Sequence, residues 1–291
     1  MQNKENYFEG WYFKNVGNDE VISFIPGINI ENGNKSAFIQ IITKESSFFI
    51  DYPFSEFKFT DDPFSVKIGD NYFSKNSIHL DNSVASGNLS FTNNVNIKKS
   101  IINPSIMGPF SYFPFMECCH DILSMKHNIY GSVKMQDKVV DFNNGCGYIE
   151  KDCGTSFPKW YIWCQANCFS NESCSLFFSV ADVPFKSHSF DGFICAFMLD
   201  GHEYRFATYN NSKCIFSISE TELEVTLKNT RYCLDIHATI GDSFDLSAPV
   251  NGKMDKKIKE SVNSTVNVSF KIEGYTVYND TSDFAGIEIV R

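Results

Sequence analysis

Apolar residues recur along this chain with a period of two. Ala37-Phe-Ile-Gln-Ile-Ile-Thr43, Leu176-Phe-Phe-Ser-Val-Ala181 and Val266-Asn-Val-Ser-Phe-Lys-Ile272 are rich in β-branched and aromatic residues, which predicts strands. Turn clusters separate such segments: Ile30-Glu-Asn-Gly-Asn-Lys35, Asn143-Asn-Gly145, Asp191-Gly192, Asp200-Gly201 and Asn251-Gly252. Many short strands at near-regular spacing predict sandwiches or barrels rather than a βαβ fold. Helical periodicity is sparse. Residues 252–261 place Met254 and Ile258 on one side and predict a single short helix.

Composition weights this picture towards rings. The 291 residues include 29 Phe, 13 Tyr and 3 Trp, so 15% of the chain is aromatic within an apolar fraction of 43%. A chain of this mass buries about three quarters of its surface on folding, enough for a sizeable core without disulfide staples. The formal charge of −10 opposes binding to phosphate backbones. The one compact basic cluster, Lys253, Lys256, Lys257 and Lys259, reads as a solvated face of the predicted helix, so no nucleic-acid partner is expected. No run approaches the 18 apolar residues of a spanning helix, and the opening residues lack the pattern of a secretory signal. The ten cysteines are therefore expected to be reduced thiols in a cytoplasmic protein.

Chemistry-bearing residues concentrate between Met107 and Phe169. The nucleophile-elbow, phosphate-loop and dinucleotide signatures are missing, as is any Cys-x-x-Cys pair. Glu117-Cys-Cys-His-Asp121 offers metal ligands, with His127 shortly after. On a strand, however, Cys118 and His120 share a side that Cys119 does not, short of the three or four convergent ligands zinc requires. A hydrogen-bonded histidine is the expectation, with no metal. In Gly147-Tyr-Ile-Glu-Lys-Asp-Cys-Gly154 the same alternation puts Tyr148, Glu150 and Asp152 on one face. Paired carboxylates raise each other's pKa, which suits a general acid; the competing reading is that one of them caps amides of the following turn.

Two further segments mix rings with polar groups. Trp160-Tyr-Ile-Trp-Cys-Gln-Ala-Asn-Cys-Phe169 sets Tyr161, Trp163, Gln165 and Asn167 on one face, against a plain core face of Trp160, Ile162, Cys164 and Ala166. In Tyr7-Phe-Glu-Gly-Trp-Tyr-Phe-Lys14, Tyr7, Glu9 and Trp11 share a face, and a carboxylate among rings must be partnered, protonated or functional.

Together Tyr7–Lys14, Met107-Gly-Pro-Phe-Ser-Tyr-Phe-Pro-Phe-Met-Glu-Cys-Cys-His120, Gly147–Pro158 and Trp160–Asn167 resemble the tocopherol cyclase family, itself related to lipocalin-like carotenoid hydratases. Leu246–Met254 and Phe284-Ala-Gly-Ile-Glu288 look like its C-terminal end. The resemblance implies an all-β protein of two lipocalin-like antiparallel barrel or sandwich domains packed together, about 1–156 and 157–291, with few short helices. It also implies cofactor-free closure of a ring on a prenylated quinol, or a related isomerisation or hydration of an isoprenoid. The partner would be a hydrophobic small molecule of the prenylquinol or polyene class, taken up through peripheral membrane contact. In these terms Asp152 is the proton donor, with Glu150 or Glu9 as alternatives, and His120 orients or deprotonates the phenol. Trp11, Tyr148, Trp160 and Trp163 wall the pocket, while Gln165 and Asn167 hold quinol oxygens. Where the family has Trp after the acid, this chain has Cys153, which implies a ring lost beside Asp152 and a wider pocket. A non-catalytic carrier of a hydrophobic ligand is the alternative, against which the acid pair argues.

Overall fold

The computed structural model describes residues 4–113, 116–185 and 188–291, so Pro114 and Phe115 of the central motif lie outside the described residues. Among those described, the chain forms 22 strands and three short 3-10 turns, with no α-helix. The all-β expectation holds.

The first sheet contains β1 (Tyr7–Gly17), β2 (Glu20–Glu31), β3 (Asn34–Thr43), β4 (Ser47–Pro53), β5 (Phe57–Thr60) and β6 (Ser65–Ile68). It continues with β7 (Asn71–Ser74), β8 (Ser77–Asp81), β9 (Ala85–Val95), β10 (Cys118–Met135), β11 (Lys138–Asp141) and β12 (Gly145–Gly154). The order is β4-β3-β2-β1-β12-β10-β9-β8-β7-β6-β5, with β11 paired to β10. The sheet curls into a nearly closed barrel. Asn71 on β7 donates to the Tyr52 hydroxyl on β4 at 3.2 Å, tying together strands from its two ends. Alternate residues of β1 fill the interior. Trp11 is fully buried there and stacks on Phe59, their centroids 5.3 Å apart. β1 is buried along both faces, which is why its sequence is an aromatic run rather than a clean alternation.

The second sheet contains β13 (Tyr161–Ala166), β14 (Ser175–Phe185), β15 (His188–Leu199), β16 (His202–Ala207) and β17 (Lys213–Ile218). β18 (Glu222–Lys228), β19 (Tyr232–Thr239), β20 (Ser243–Val250), β21 (Lys253–Ile272) and β22 (Tyr275–Val290) complete it. Its order is β16-β15-β14-β13-β22-β21-β19-β18-β17, with β20 paired to β21. Its core gathers Ile162 and Cys164 of β13 with Phe178, Phe197 and Phe270.

Two compact units result, each assembled from separated segments as far as these are described. The first takes the chain up to Asn96, Glu117–Phe157 and Phe244–Ile258; the second takes Ile97–Met116, Pro158–Ser243 and Lys259–Arg291. The 244–258 hairpin belongs to the first unit through Gln40, whose side chain both donates to the Ser247 carbonyl and accepts from its amide.

Two local expectations are corrected. Residues 252–261 are strand rather than helix, because an apolar pair at i, i+4 satisfies a period of two as well as one of 3.6. The exposed Lys253, Lys257 and Lys259 alternate with covered Met254, Ile258 and Glu260. Asp191-Gly192 is not a turn but lies inside β15, where a methyl on Gly192 would meet Val183 at 2.6 Å. The Asn-Gly and Asp-Gly pairs at 32–33, 200–201 and 251–252 are hairpin tips with positive φ at both residues, whereas in the turn at 143–145 only Asn144 has positive φ. All ten cysteines are free thiols. No helix among the described residues is long and apolar enough to cross a membrane.

Candidate active site

β12 lies between β1 and β10, so its residues have neighbours on both sides. Asp152 stands opposite Gly10 and His120; Glu150 stands opposite Tyr12 and Ile122; Tyr148 stands opposite Lys14. Period-two alternation therefore delivers Tyr148, Glu150 and Asp152 to one face, and the antiparallel register adds His120.

These four form a chain of polar contacts. The Tyr148 hydroxyl donates to Glu150 Oε2 at 2.6 Å, and that oxygen lies 3.5 Å from His120 Nε2. His120 Nδ1 donates to Asp152 Oδ1 at 2.8 Å, and the Cys118 thiol donates to the same oxygen at 3.8 Å. Tyr148 is fully buried and Glu150 is 4% exposed, whereas the Asp152 side chain keeps 20% of its surface. The open end of the chain is thus Asp152.

Electrostatics fix where the proton sits. Burial disfavours the His120 imidazolium, but the Asp152 and Glu150 carboxylates outweigh it and hold the group up at about 9. His120 is protonated at neutral pH. Burial, reinforced by the Glu150 charge, pushes Tyr148 well above the usual phenol range and keeps it a donor. His127 is different: burial alone lowers it to about 3, and its Nδ1 contacts Ser124 at 3.1 Å. The β10 irregularities between Ile122 and His127 remove it from the His120 register. His120, Glu150 and Asp152 could also converge on a cation, their ligand atoms lying within 4.8 Å of one another. A metal would have to displace the proton that His120 retains so strongly.

A methyl on Gly10, across from Asp152, would meet Ile25 and the Pro26 carbonyl at 3.9 Å, ordinary van der Waals contact, and nothing nearer.

Other predicted residues are placed elsewhere. Glu9 and Trp11 share a face with Tyr7, as expected, but it is the barrel interior, opposite to Tyr148, Glu150 and Asp152. There Glu9 pairs with Lys151 at 2.5 Å and accepts from the Tyr7 hydroxyl at 3.1 Å. Cys153 also points inward, packing against that core. Cys153 therefore faces the barrel interior rather than the surroundings of Asp152. In the second unit, Trp160 packs against the core, 6.2 Å from Phe216, rather than joining Trp163. Trp163 faces away from that core, directly opposite Glu288, and Gln165 stands opposite Gly286. Asn167, fully buried, accepts from the Cys168 thiol at 3.7 Å. Sequence reasoning set Cys118 beside His120 but gave Gly10, Tyr12, Cys118, Lys151 and Glu288 no role in the site. The β1–β12–β10 register that brings Gly10, Tyr12 and Cys118 to Asp152 and Glu150, and Lys151 to Glu9 on the other face, requires knowing which strands pair. Glu288 receives the Tyr161 hydroxyl and lies opposite the buried Glu260.

Comparison with known proteins identifies the family and the fold. The family model for tocopherol cyclase-like proteins matches residues 98–290, more than half the chain. The chain belongs to the tocopherol cyclase-like family. Its match spans Cys118–His120, Tyr148–Asp152 and Trp160–Asn167; the similar-looking Tyr7–Lys14 segment precedes it. A search of curated proteins by sequence gives no match. Among solved structures, this tocopherol cyclase-like chain is similar in fold to CghA, in a crystal structure with Sch210972. The TM-score is 0.65 at 9% identity, covering 98% of this chain and 89% of that one. An AttH-type protein from Nitrosomonas europaea gives 0.56 at 12% identity, covering 98% and 93%.

Proposed function

We propose that this chain is a tocopherol cyclase-like enzyme that closes a ring on a prenylated quinol, or on a similar isoprenoid bearing a trisubstituted alkene, by acid-initiated addition. The observation that carries this reading is the buried Tyr148–Glu150–His120–Asp152 chain, which stores a proton on His120 and presents it at an open carboxyl.

The chemistry is redox-neutral. Protonation of the alkene gives a tertiary cation, the phenol oxygen captures it, and the phenol proton returns to the site. An alkene is a very weak base, so the donor must be held close in a water-poor setting. Transfer from His120 Nδ1 across 2.8 Å converts Asp152, the most exposed of these four groups, to the neutral acid that meets the alkene. Glu150, held by the Tyr148 hydroxyl, balances the imidazolium while the proton waits. Tyr12 and Tyr148 on the same face offer π surfaces to a developing cation, worth about 0.5–2 kcal/mol for each contact made. Water in place of the phenol would turn the same cation into a hydration product. The fold neighbour CghA, seen with Sch210972, lends support to a small-molecule partner.

Incubation with prenylated benzoquinols, followed by mass spectrometry and NMR of the products, tests the reading. A chromanol formed by the wild type and lost in Asp152→Asn, with the variant's β-rich circular dichroism unchanged, is the expected result. Equal turnover by that folded variant removes Asp152 as the acid.

A further inference from the structure

The rung next to His120 and Asp152 carries a second pair on the opposite face. Cys119 stands directly across from Cys153 in the β10–β12 ladder. Directly opposed residues in an antiparallel pair have Cα atoms about 4.5–5.5 Å apart, within the 4.4–6.8 Å range a disulfide spans. Both residues are free thiols and both are partly exposed.

We propose that Cys119 and Cys153 are a peroxide-sensitive dithiol that closes to a disulfide across the β10–β12 ladder and thereby alters the neighbouring His120–Asp152 contact. Cys119 is the attacking sulfur. The facing Cys153 thiol favours its thiolate, burial and the Asp152 charge oppose it, and Lys4 and Lys151 assist, leaving it lowered to about 7. The facing Cys119 and burial keep the Cys153 thiol protonated against the pull of Lys151, and Glu9 on β1, paired to Lys151 and touched by Tyr7, adds to this. Cys118, Cys195, Cys214 and Cys233 are all pushed up by burial instead.

The chemistry balances with hydrogen peroxide as oxidant. The Cys119 thiolate attacks a peroxide oxygen; an S–O bond forms, the O–O bond breaks, and hydroxide leaves and takes a proton. The Cys153 thiol then attacks the sulfenic sulfur, forming S–S and releasing water. The two thiols supply the two electrons that reduce the peroxide. A covalent clamp on this rung restrains the strand separation that the adjacent rung uses for its 2.8 Å hydrogen bond. The consequence for turnover rests on the proposed function; the thiol chemistry does not.

The test uses the full chain treated with hydrogen peroxide, blocked with iodoacetamide and mapped by peptide mass spectrometry. A Cys119–Cys153 cross-link that dithiothreitol reverses is expected, together with a sulfenic acid trapped by dimedone at Cys119 in Cys153→Ala. Before oxidation, Cys119 should alkylate about five-fold or more faster than Cys233 at neutral pH. A chain whose Cys119 and Cys153 stay unlinked, or whose cross-links form elsewhere, overturns the dithiol. The coupling is read by NMR titration of His120. A shift that appears on oxidation in the wild type and is missing in Cys119→Ser supports it, and an unchanged titration in the cross-linked protein overturns it even if the disulfide forms.

Discussion

His120 is the residue on which the electrostatics of the site turn, because its proton is stabilised by carboxylates from the next strand. Its folded pKa of about 9 lies above the ordinary value of 6.5, so the stabilisation is fully present below pH 6.5 and is lost as pH rises through 9. The wild type should therefore exceed His120→Gln in unfolding free energy by up to roughly 3 kcal/mol more near pH 6 than near pH 10, measured by urea denaturation. Asp152→Asn should lower the His120 titration seen by NMR and reduce turnover by about 100-fold or more. Trp11 belongs to a different account. Fully buried and stacked on Phe59, it acts as core, and Trp11→Ala should cost about 3–5 kcal/mol of stability in a denaturant titration. Loss of ligand binding at unchanged stability would instead make it a pocket wall. Alternation alone placed Tyr148, Glu150 and Asp152 together, and equally placed Glu9 with Trp11. What it could not say was that these are opposite faces of neighbouring strands, since that depends on the Gly10–Asp152 register.

At the scale of elements, the hairpin tips at 32–33, 200–201 and 251–252 were legible because a two-residue turn needs positive φ at both residues, and few pairs besides Asn-Gly and Asp-Gly accept it. The strand from Lys253 was misread because its few apolar residues fall four apart, and its partner β20 decides the matter. The β10 irregularities were invisible for the same kind of reason: they are properties of the pairing with β9 and β12, not of the residues. Gly252 makes the hairpin's role testable. Its φ is 78°, and a methyl there would lie 2.0 Å from the Ile30 carbonyl. Gly252→Ala should destabilise the protein by about 1–3 kcal/mol in thermal or urea unfolding, and a neutral effect would mean that the tip does not dock against β2.

At the scale of the molecule, the sandwich-or-barrel character was readable from periodicity and turn spacing, whereas two antiparallel domains were implied by the family resemblance. The composition of the compact units was not, because their segments are interleaved: Gln40 completes its amide hydrogen bonds 207 residues away. The concentration of rings, acids and amides between Met107 and Phe169 also divides between units, with His120 to Asp152 in the first and Trp160 to Asn167 in the second. The central claim, that a proton stored on His120 is delivered through Asp152 to carbon, is tested most directly by turnover of a prenylated benzoquinol in deuterated water. The account predicts a chromanol carrying one deuterium on the former alkene carbon. Quinol recovered uncyclised and without deuterium, from protein shown by native mass spectrometry to have bound it, would contradict it and mark the chain as a carrier.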